Sequence, residues 1–254
     1  MVINLDRSAD RWDRFLTVNS AYLDDIHRIN AVDGRLLTEK WRYLSRWMHL
    51  THEPNKFNIM PAIGCFLSHR KAWQYVVDEH LPYALVLEDD AILTNRTAEF
   101  LEAYEANPPP IDWIKLHVHR RISRTKQEMI DLKISGLELC VDMAGSKSNA
   151  AYIINYAGAQ KALAIERLLA PVDHVEWLHV LQSLVFAQTS KNVVEVDGAL
   201  ESSITGHAGH SLRRIPNMMR IGLVRHTIGR MALASNLRAA KQAVRQHQSY
   251  ERGT

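Results

Sequence analysis

The chain has 254 residues, 46% of them hydrophobic and 23% charged, proportions that exclude a collagen-like, low-complexity or wholly disordered protein. At 29.1 kDa it suits one α/β domain of ordinary size. The net charge of +3 is unevenly placed, because residues 211–254 hold nine Lys or Arg against one acid, a net of +8, and the preceding residues carry −5. A basic end on an acidic body points to an anionic surface, or else is the solvated face of a helix. The two cysteines, Cys65 and Cys140, form no Cys-x-x-Cys pair, which argues against a disulfide scaffold and a thiolate zinc site and fits a reducing cytoplasm. The opening segment is too short and too quickly charged for a signal peptide. No apolar run approaches the ~20 residues of a membrane span, so a soluble or peripheral protein is expected.

Residues 2–5 form a short apolar run, followed by Trp12, Phe15 and Leu16 at helical spacing, which predicts strand, loop and helix with Ser8 as N-cap. Residues 26–32 read as a second strand closed by Asp33-Gly34, so the chain opens on a βαβ unit and a parallel sheet. Residues 39–58 read as a polar helical excursion whose Trp41, Tyr43 and Trp47 offer either a stacking surface or core packing. Over 64–77, Phe66, His69, Trp73 and Val77 recur every three or four residues, which places His69 on the inward face of a helix.

Residues 84–87 are a continuous apolar strand that runs straight into Glu88-Asp89-Asp90. Three prolines at 108–110 precede a strand over 113–118, and 119–133 yields no assignment. A strand over 150–155 leads to an amphipathic helix over 158–169 that Pro171 stops. Residues 173–188 read as partly helical, 193–196 as a short strand, and 201–211 as a loop. Beyond 212, two basic helices are predicted, divided near Gly229.

Three adjacent carboxylates at the end of a buried strand repel one another, and burial makes each costly to ionise. A divalent cation removes the conflict, and oxygen ligands favour Mg²⁺ or Mn²⁺; otherwise Asp89 and Asp90 begin a helix and Glu88 is solvated. Asn4, Arg7 and Arg11 flank the first strand-to-helix loop, where a guanidinium and backbone N–H groups can receive a nucleotide. Neither G-x-G-x-x-G, Walker A nor G-x-S-x-G occurs, which argues against a dinucleotide enzyme, a P-loop NTPase and an α/β serine hydrolase. Taken alone, His69 reads as a hydrogen-bonded core residue. His117 and His119 share a strand face without a third ligand nearby in sequence. Asp173 is either a general base for an incoming hydroxyl or a helix N-cap, and His207 and His210 lie in a glycine-containing loop.

Several segments combine into a pattern: 2–7 with Arg11-Trp12, 31–34, 64–69 with Trp73, 83–91 (YALVLEDDA), 151–154 with Gly158-Ala159, and 171–174. In this order, over about the first 205 residues, they resemble glycosyltransferase family 25, whose bacterial members build lipopolysaccharide or lipooligosaccharide. The resemblance implies a GT-A type α/β fold with a mostly parallel central sheet over 1–210; the basic, helical extension over 211–254 lies outside it. It implies a UDP-sugar donor, most often UDP-galactose, and Mn²⁺ or Mg²⁺ held by Asp90 and Glu88, with His207 as a third ligand. Asn4, Arg11, Asp33, Gly34, Ser68 and His69 move to the donor pocket beside Glu88 and Asp89, and Asp173 becomes the catalytic carboxylate of an inverting transfer. The implied acceptor is a lipid-linked oligosaccharide, met in the cytoplasm at the anionic inner face of the membrane through the basic end, with no nucleic acid involved. A catalytically inactive nucleotide-sugar or glycan-binding module of the same fold is the alternative.

Overall fold

In the computed structural model the apolar runs become strands of one sheet; the structure describes residues 1–22, 26–45, 59–118, 127–143, 147–198 and 217–253. Strand β1 (Val2–Asn4), helix α1 (Ala9–Asn19) and β2 (Arg28–Asn30) form the expected βαβ unit, with Ile3 paired in parallel to Ile29. After a short helix α2 (Lys40–Tyr43) comes the long α3 (Ile59–Asp78), then β3 (Tyr83–Glu88), which pairs in parallel on the other side of β1. A two-residue β4 (Ala91–Ile92), α4 (Asn95–Ala106) and β5 (Trp113–Lys115) follow. The second half adds β6 (Gln127–Ile134), β7 (Leu137–Asp142), β8 (Ala151–Asn155), α5 (Tyr156–Leu163), α6 (Glu176–Gln182), β9 (Phe186–Thr189), β10 (Glu195–Val196) and α7 (Asn217–Gly253).

The large sheet runs β2-β1-β3-β8-β5-β9-β7-β6, and β10 pairs separately with β4. Its first three strands are parallel, β8 enters antiparallel between β3 and β5, and β5 and β9 are again parallel. An aromatic cluster holds α3 to this centre: Trp113 stacks on Tyr152 at 4.0 Å between ring centroids, and Trp73 meets Trp113 edge-on at 5.8 Å. All three are wholly buried, so each contributes large apolar area with the favoured aromatic geometries.

Four elements differ from the sequence expectation. The hairpin β6–β7 occupies a stretch without a predicted strand; its turn is Ser135-Gly136, both at positive φ (48° and 74°), the mirror-type turn that matches strand twist. Helix α5 ends at Leu163 rather than 169, because the Arg70 guanidinium donates to the carbonyl of Leu163 (2.8 Å) and to that of Ile165, while Ile165 and Leu168 turn into the core. Residues 186–189 are a strand: Ser183 leaves α6 in the left-handed conformation (φ 53°), and 186–188 then pair with 113–115. Finally, α7 is one continuous helix through Gly229, whose missing side chain faces open space. An interior glycine costs about 1 kcal/mol relative to alanine, which packing further along the helix offsets.

That packing is specific. Ala232, Leu233, Asn236, Ala240 and Val244 form the buried stripe of α7 at helical spacing, facing α6, β6, β7 and β9. The ladder between β7 and β9 reaches only Gln188 and Thr189, so the outer edge of β9 at Phe186 lacks a strand partner. Asn236 takes that place: its Oδ1 accepts from Phe186 N (2.9 Å) and its Nδ2 donates to Phe186 O (2.8 Å). Asn236→Ala leaves both backbone groups unpaired in a buried position and is expected to cost about 2 kcal/mol, read from the midpoint of urea unfolding at unchanged m-value. Among the described residues, no helix is long and apolar enough to cross a membrane.

Candidate active site

In a sheet with parallel strands, ligands bind beyond the carboxyl ends of those strands. Here the carboxyl ends of β2, β1 and β3 open on a cleft of about 400 Å³. Of the residues selected from sequence, Arg11, Asp33, Gly34, Ser68, His69, Glu88, Asp89 and Asp90 line it.

The acidic turn is not three equivalent carboxylates. Asp89 is held from below: Arg11 donates Nε (2.8 Å) and Nη2 to Oδ1, and Asn4 donates Nδ2 to Oδ2 (2.7 Å). Asn4 is buried and itself accepts from Arg28, so it supports the turn from beneath and does not line the cleft. The backbone after Asp89 is clamped as well. Asp197 N donates to Asp90 O (2.9 Å), and buried Asn19 bonds both Ala91 O and Leu93 N.

Asp90 has no such compensation for its side chain. Its Oδ1 is buried without a hydrogen-bond partner, and the nearest guanidinium, Arg11, approaches Oδ2 only to 3.9 Å. Burial above all, and then the charge of Glu88, push the Asp90 carboxyl up to about 7 against the opposing pull of Arg11. A buried orphan carboxylate oxygen beside two further carboxylates fits a hard divalent cation, to which Asp90 and Glu88 can offer oxygen ligands.

The opposite wall is the loop after β2. Asp33 caps a short 3-10 turn, accepting from Arg35 N (3.0 Å), and also binds the guanidinium groups of Arg35 and Arg7 (2.7 Å each). These partners, Arg35 first, hold its carboxyl well below the usual range. The loop is pressed against α3: a Cβ on Gly34 would lie 1.9 Å from Met60 O, and one on Gly64 would lie 2.6 Å from Gly34 N. Ser68 Oγ fastens the contact by accepting from Val32 N (2.8 Å) and donating to Gly64 O (2.7 Å). Asp33, Gly34 and Ser68 thus shape the wall, while Arg7 and Arg35 present partly exposed cations at its mouth. Arg35 escaped the sequence reading because its only local signal is an arginine after a turn.

His69 belongs to the core and also lines the cleft. It is 1% exposed and belongs to the core network, in which Trp73 Nε1 donates to Tyr152 Oη (2.9 Å) and Tyr152 Oη shares a 2.8 Å hydrogen bond with His69 Nδ1. Its other nitrogen, Nε2, faces the cleft 3.4 Å from Glu88 Oε1 without a hydrogen bond. Cys65, one helical turn earlier, also lines the cleft; burial, then Glu88 and Asp173, push its thiol well above the ordinary value.

Asp173 is not among the residues that line this cleft. Its backbone is fixed by wholly buried Lys115, whose Nζ donates to Asp173 O (2.6 Å), and by Asn149, which donates to Val172 O (2.9 Å). Its carboxylate stays about one quarter exposed, and it does not cap α6, whose N-cap is Val175. His117 binds Val194 O through Nδ1 (2.9 Å) and serves the core. Tyr43 packs on the core. Trp47, His119, His207 and His210 lie outside the described residues.

A mixed sheet flanked by helices, with an acidic turn at the carboxyl end of a central strand facing an arginine-walled cleft, is the architecture of a GT-A type glycosyltransferase. Comparison of sequences narrows the class. The family model described as Glycosyltransferase family 25 (LPS biosynthesis protein) matches residues 1–175, and the chain belongs to that family. Similar proteins include human procollagen galactosyltransferase 2, 29% identical over 71% of this chain and 29% of that protein, and zebrafish (Danio rerio) procollagen galactosyltransferase 1, 30% identical over 71% and 30%. A bovine (Bos taurus) protein named probable inactive glycosyltransferase 25 family member 3 is 30% identical over 68% of this chain and 30% of its own length. The chain thus spans about three tenths of the length of these curated relatives.

Proposed function

We propose that the chain transfers a hexose, galactose from UDP-galactose, to a saccharide acceptor of the lipopolysaccharide or lipooligosaccharide type. The observation that carries this reading is Asp90 Oδ1, buried and unpartnered beside Glu88 in the cleft. Asp90 and Glu88, with His207 as a third ligand, would hold Mn²⁺ or Mg²⁺, which would supply positive charge to the departing diphosphate. Arg7 and Arg35 at the mouth of the cleft bind the same negative charge, and Arg11 fixes Asp89 so that the turn keeps its shape as a ligand enters. Asp173 accepts the proton of the acceptor hydroxyl, which attacks the face opposite the leaving group and inverts the anomeric configuration to a β-linkage.

The family's description supports the acceptor class, and the names of the relatives support galactosyl transfer. The basic residues of α7 support a cytoplasmic protein resting on an anionic membrane, where lipid-linked acceptors are made: exposed Ile228 and Met231 flank Arg230, and Ile228 shares a surface with exposed Leu181 of α6.

The test is a calorimetric titration of UDP into the chain with Mn²⁺, with EDTA, and into Asp90→Asn, followed by a screen of UDP-sugars and acceptors. Metal-dependent binding that vanishes in the variant is expected; no binding by the folded chain in any condition overturns the reading. Arg11→Lys is expected to weaken UDP at least about tenfold, because one ammonium cannot reproduce the two-point hold on Asp89. A second reading, a non-catalytic nucleotide-sugar binder, is favoured by the inactive relative; normal UDP binding without transfer or donor hydrolysis would select it.

A further inference from the structure

We propose that Cys65 Sγ, His69 Nε2 and Glu88 form a binding site for a soft divalent transition ion of the zinc class, separate in chemistry from the oxygen-ligand pair Glu88 and Asp90. The three ligand atoms lie within 4.8 Å of one another, and all three residues line the cleft. Cys65 and His69 are four residues apart in α3, one turn on the same face, which is the spacing that lets two helical side chains share an ion. The 3.4 Å between His69 Nε2 and Glu88 Oε1 equals the ligand-to-ligand edge of a tetrahedron with bonds of about 2.1 Å, the length of zinc bonds to nitrogen and oxygen.

The independent pointer to a ligand is His69 Nε2, on a side chain 1% exposed, directed at the cleft and lacking a hydrogen-bond partner. Its other nitrogen has the partner that metal-binding imidazoles usually have: Tyr152 Oη, which accepts from Trp73 Nε1, lies 2.8 Å from Nδ1, and in the metal-binding tautomer it accepts the Nδ1 proton as well and leaves the Nε2 lone pair toward the cleft. Binding forms a metal–sulfur bond and sends the thiol proton to solvent; no electron is transferred. Three protein ligands leave a fourth position open to the cleft. The Cys-x-x-Cys rule that argued against a thiolate site misses this arrangement, since the second and third ligands are not cysteines.

The site does not depend on the transferase reading; under that reading zinc withdraws Glu88 from the donor side and opposes turnover. The experiment therefore uses no donor. The metal-free full chain is titrated with Co²⁺, and a thiolate-to-cobalt charge-transfer band saturating at one ion per chain, abolished by added Zn²⁺, is expected. Cys65→Ser is expected to lose the band and to bind Zn²⁺ at least about tenfold more weakly, whereas Cys140→Ser and Asp90→Asn keep both. Cobalt binding without the band, or a band that survives in folded Cys65→Ser, overturns the proposal. Alkylation of Cys65 in the unaltered chain supplies a test free of variants: saturating Zn²⁺ is expected to slow it at least about tenfold and Mg²⁺ to leave it unchanged, and equal rates with and without Zn²⁺ overturn the site.

Discussion

Asp90→Asn is expected to unfold at a higher temperature than the unaltered metal-free chain at pH 8, while losing metal-dependent nucleotide binding. The carboxyl sits at about 7 in the folded chain and at 3.8 ordinarily, so folding binds its proton more tightly than unfolding does. Below about pH 4 the group is protonated in both states and costs nothing. Between pH 4 and 7 the unfolded state ionises while the folded state resists, stability falls as pH rises, and above pH 7 the full penalty is present. A shift of this size corresponds to about 4 kcal/mol. Asparagine carries no charge to desolvate, so the variant's advantage is expected to be near zero at pH 4, to grow through pH 7 and to level off above it. Adding Mn²⁺ is expected to stabilise the unaltered chain alone. Parallel thermal melts of the two proteins from pH 4 to 8.5, with and without metal, check each part; superimposable pH profiles would contradict it.

Gly34→Ala is expected to destabilise the chain by about 3 kcal/mol or more and to remove nucleotide binding with it. The added methyl group would meet Met60 O at 1.9 Å and Met60 C at 2.5 Å, both backbone atoms of α3 that no rotamer change can move aside. Relief requires the loop after β2 to lift from the helix, which pulls Val32 N from Ser68 Oγ and carries Asp33, with its two arginines, away from the acidic turn. Gly229→Ala is the contrasting change. It meets nothing within 4 Å in the middle of α7 and is expected to stabilise by about 0.5 to 1 kcal/mol without touching binding. Urea unfolding of both variants beside UDP titration distinguishes a glycine required by close packing from one that is merely tolerated.

Legibility in the sequence followed the range of the interactions involved. Strands β1 to β3 and helix α3 announce themselves because alternation, continuous apolar runs and helical spacing are local signals, and the acidic turn follows directly from the end of β3. The β6–β7 hairpin is not legible although Ser135-Gly136 is a hairpin dipeptide, because the strand before it is largely polar with one bulge. Strand β9 lies at the end of a stretch that reads as only partly helical, since four residues carry no period, and its identity rests on pairing with β5. In the site, residue types were legible and roles were not. The resemblance puts Asn4 and Arg11 in the donor pocket; both bond Asp89, more than 70 residues away in the chain, and Arg11 also lines the cleft. Asp33 and Gly34 read as a turn, and only the approach of α3 shows why that turn must be tight.

The staple between Asn236 and Phe186 bears on how the chain can be shortened. A cut ahead of α7 looks harmless by charge, since it removes seven basic residues against one acid. It would also strip the cover from β9 and uncover the apolar surface under Leu233, Ala240 and Val244. An unpaired strand margin bordered by hydrophobic side chains is a template for a second chain, so the shortened protein is expected to self-associate. Loss of membrane or nucleotide binding in such a truncation would then report aggregation, and neutralising the exposed arginines one at a time is the sounder way to learn what the basic helix does.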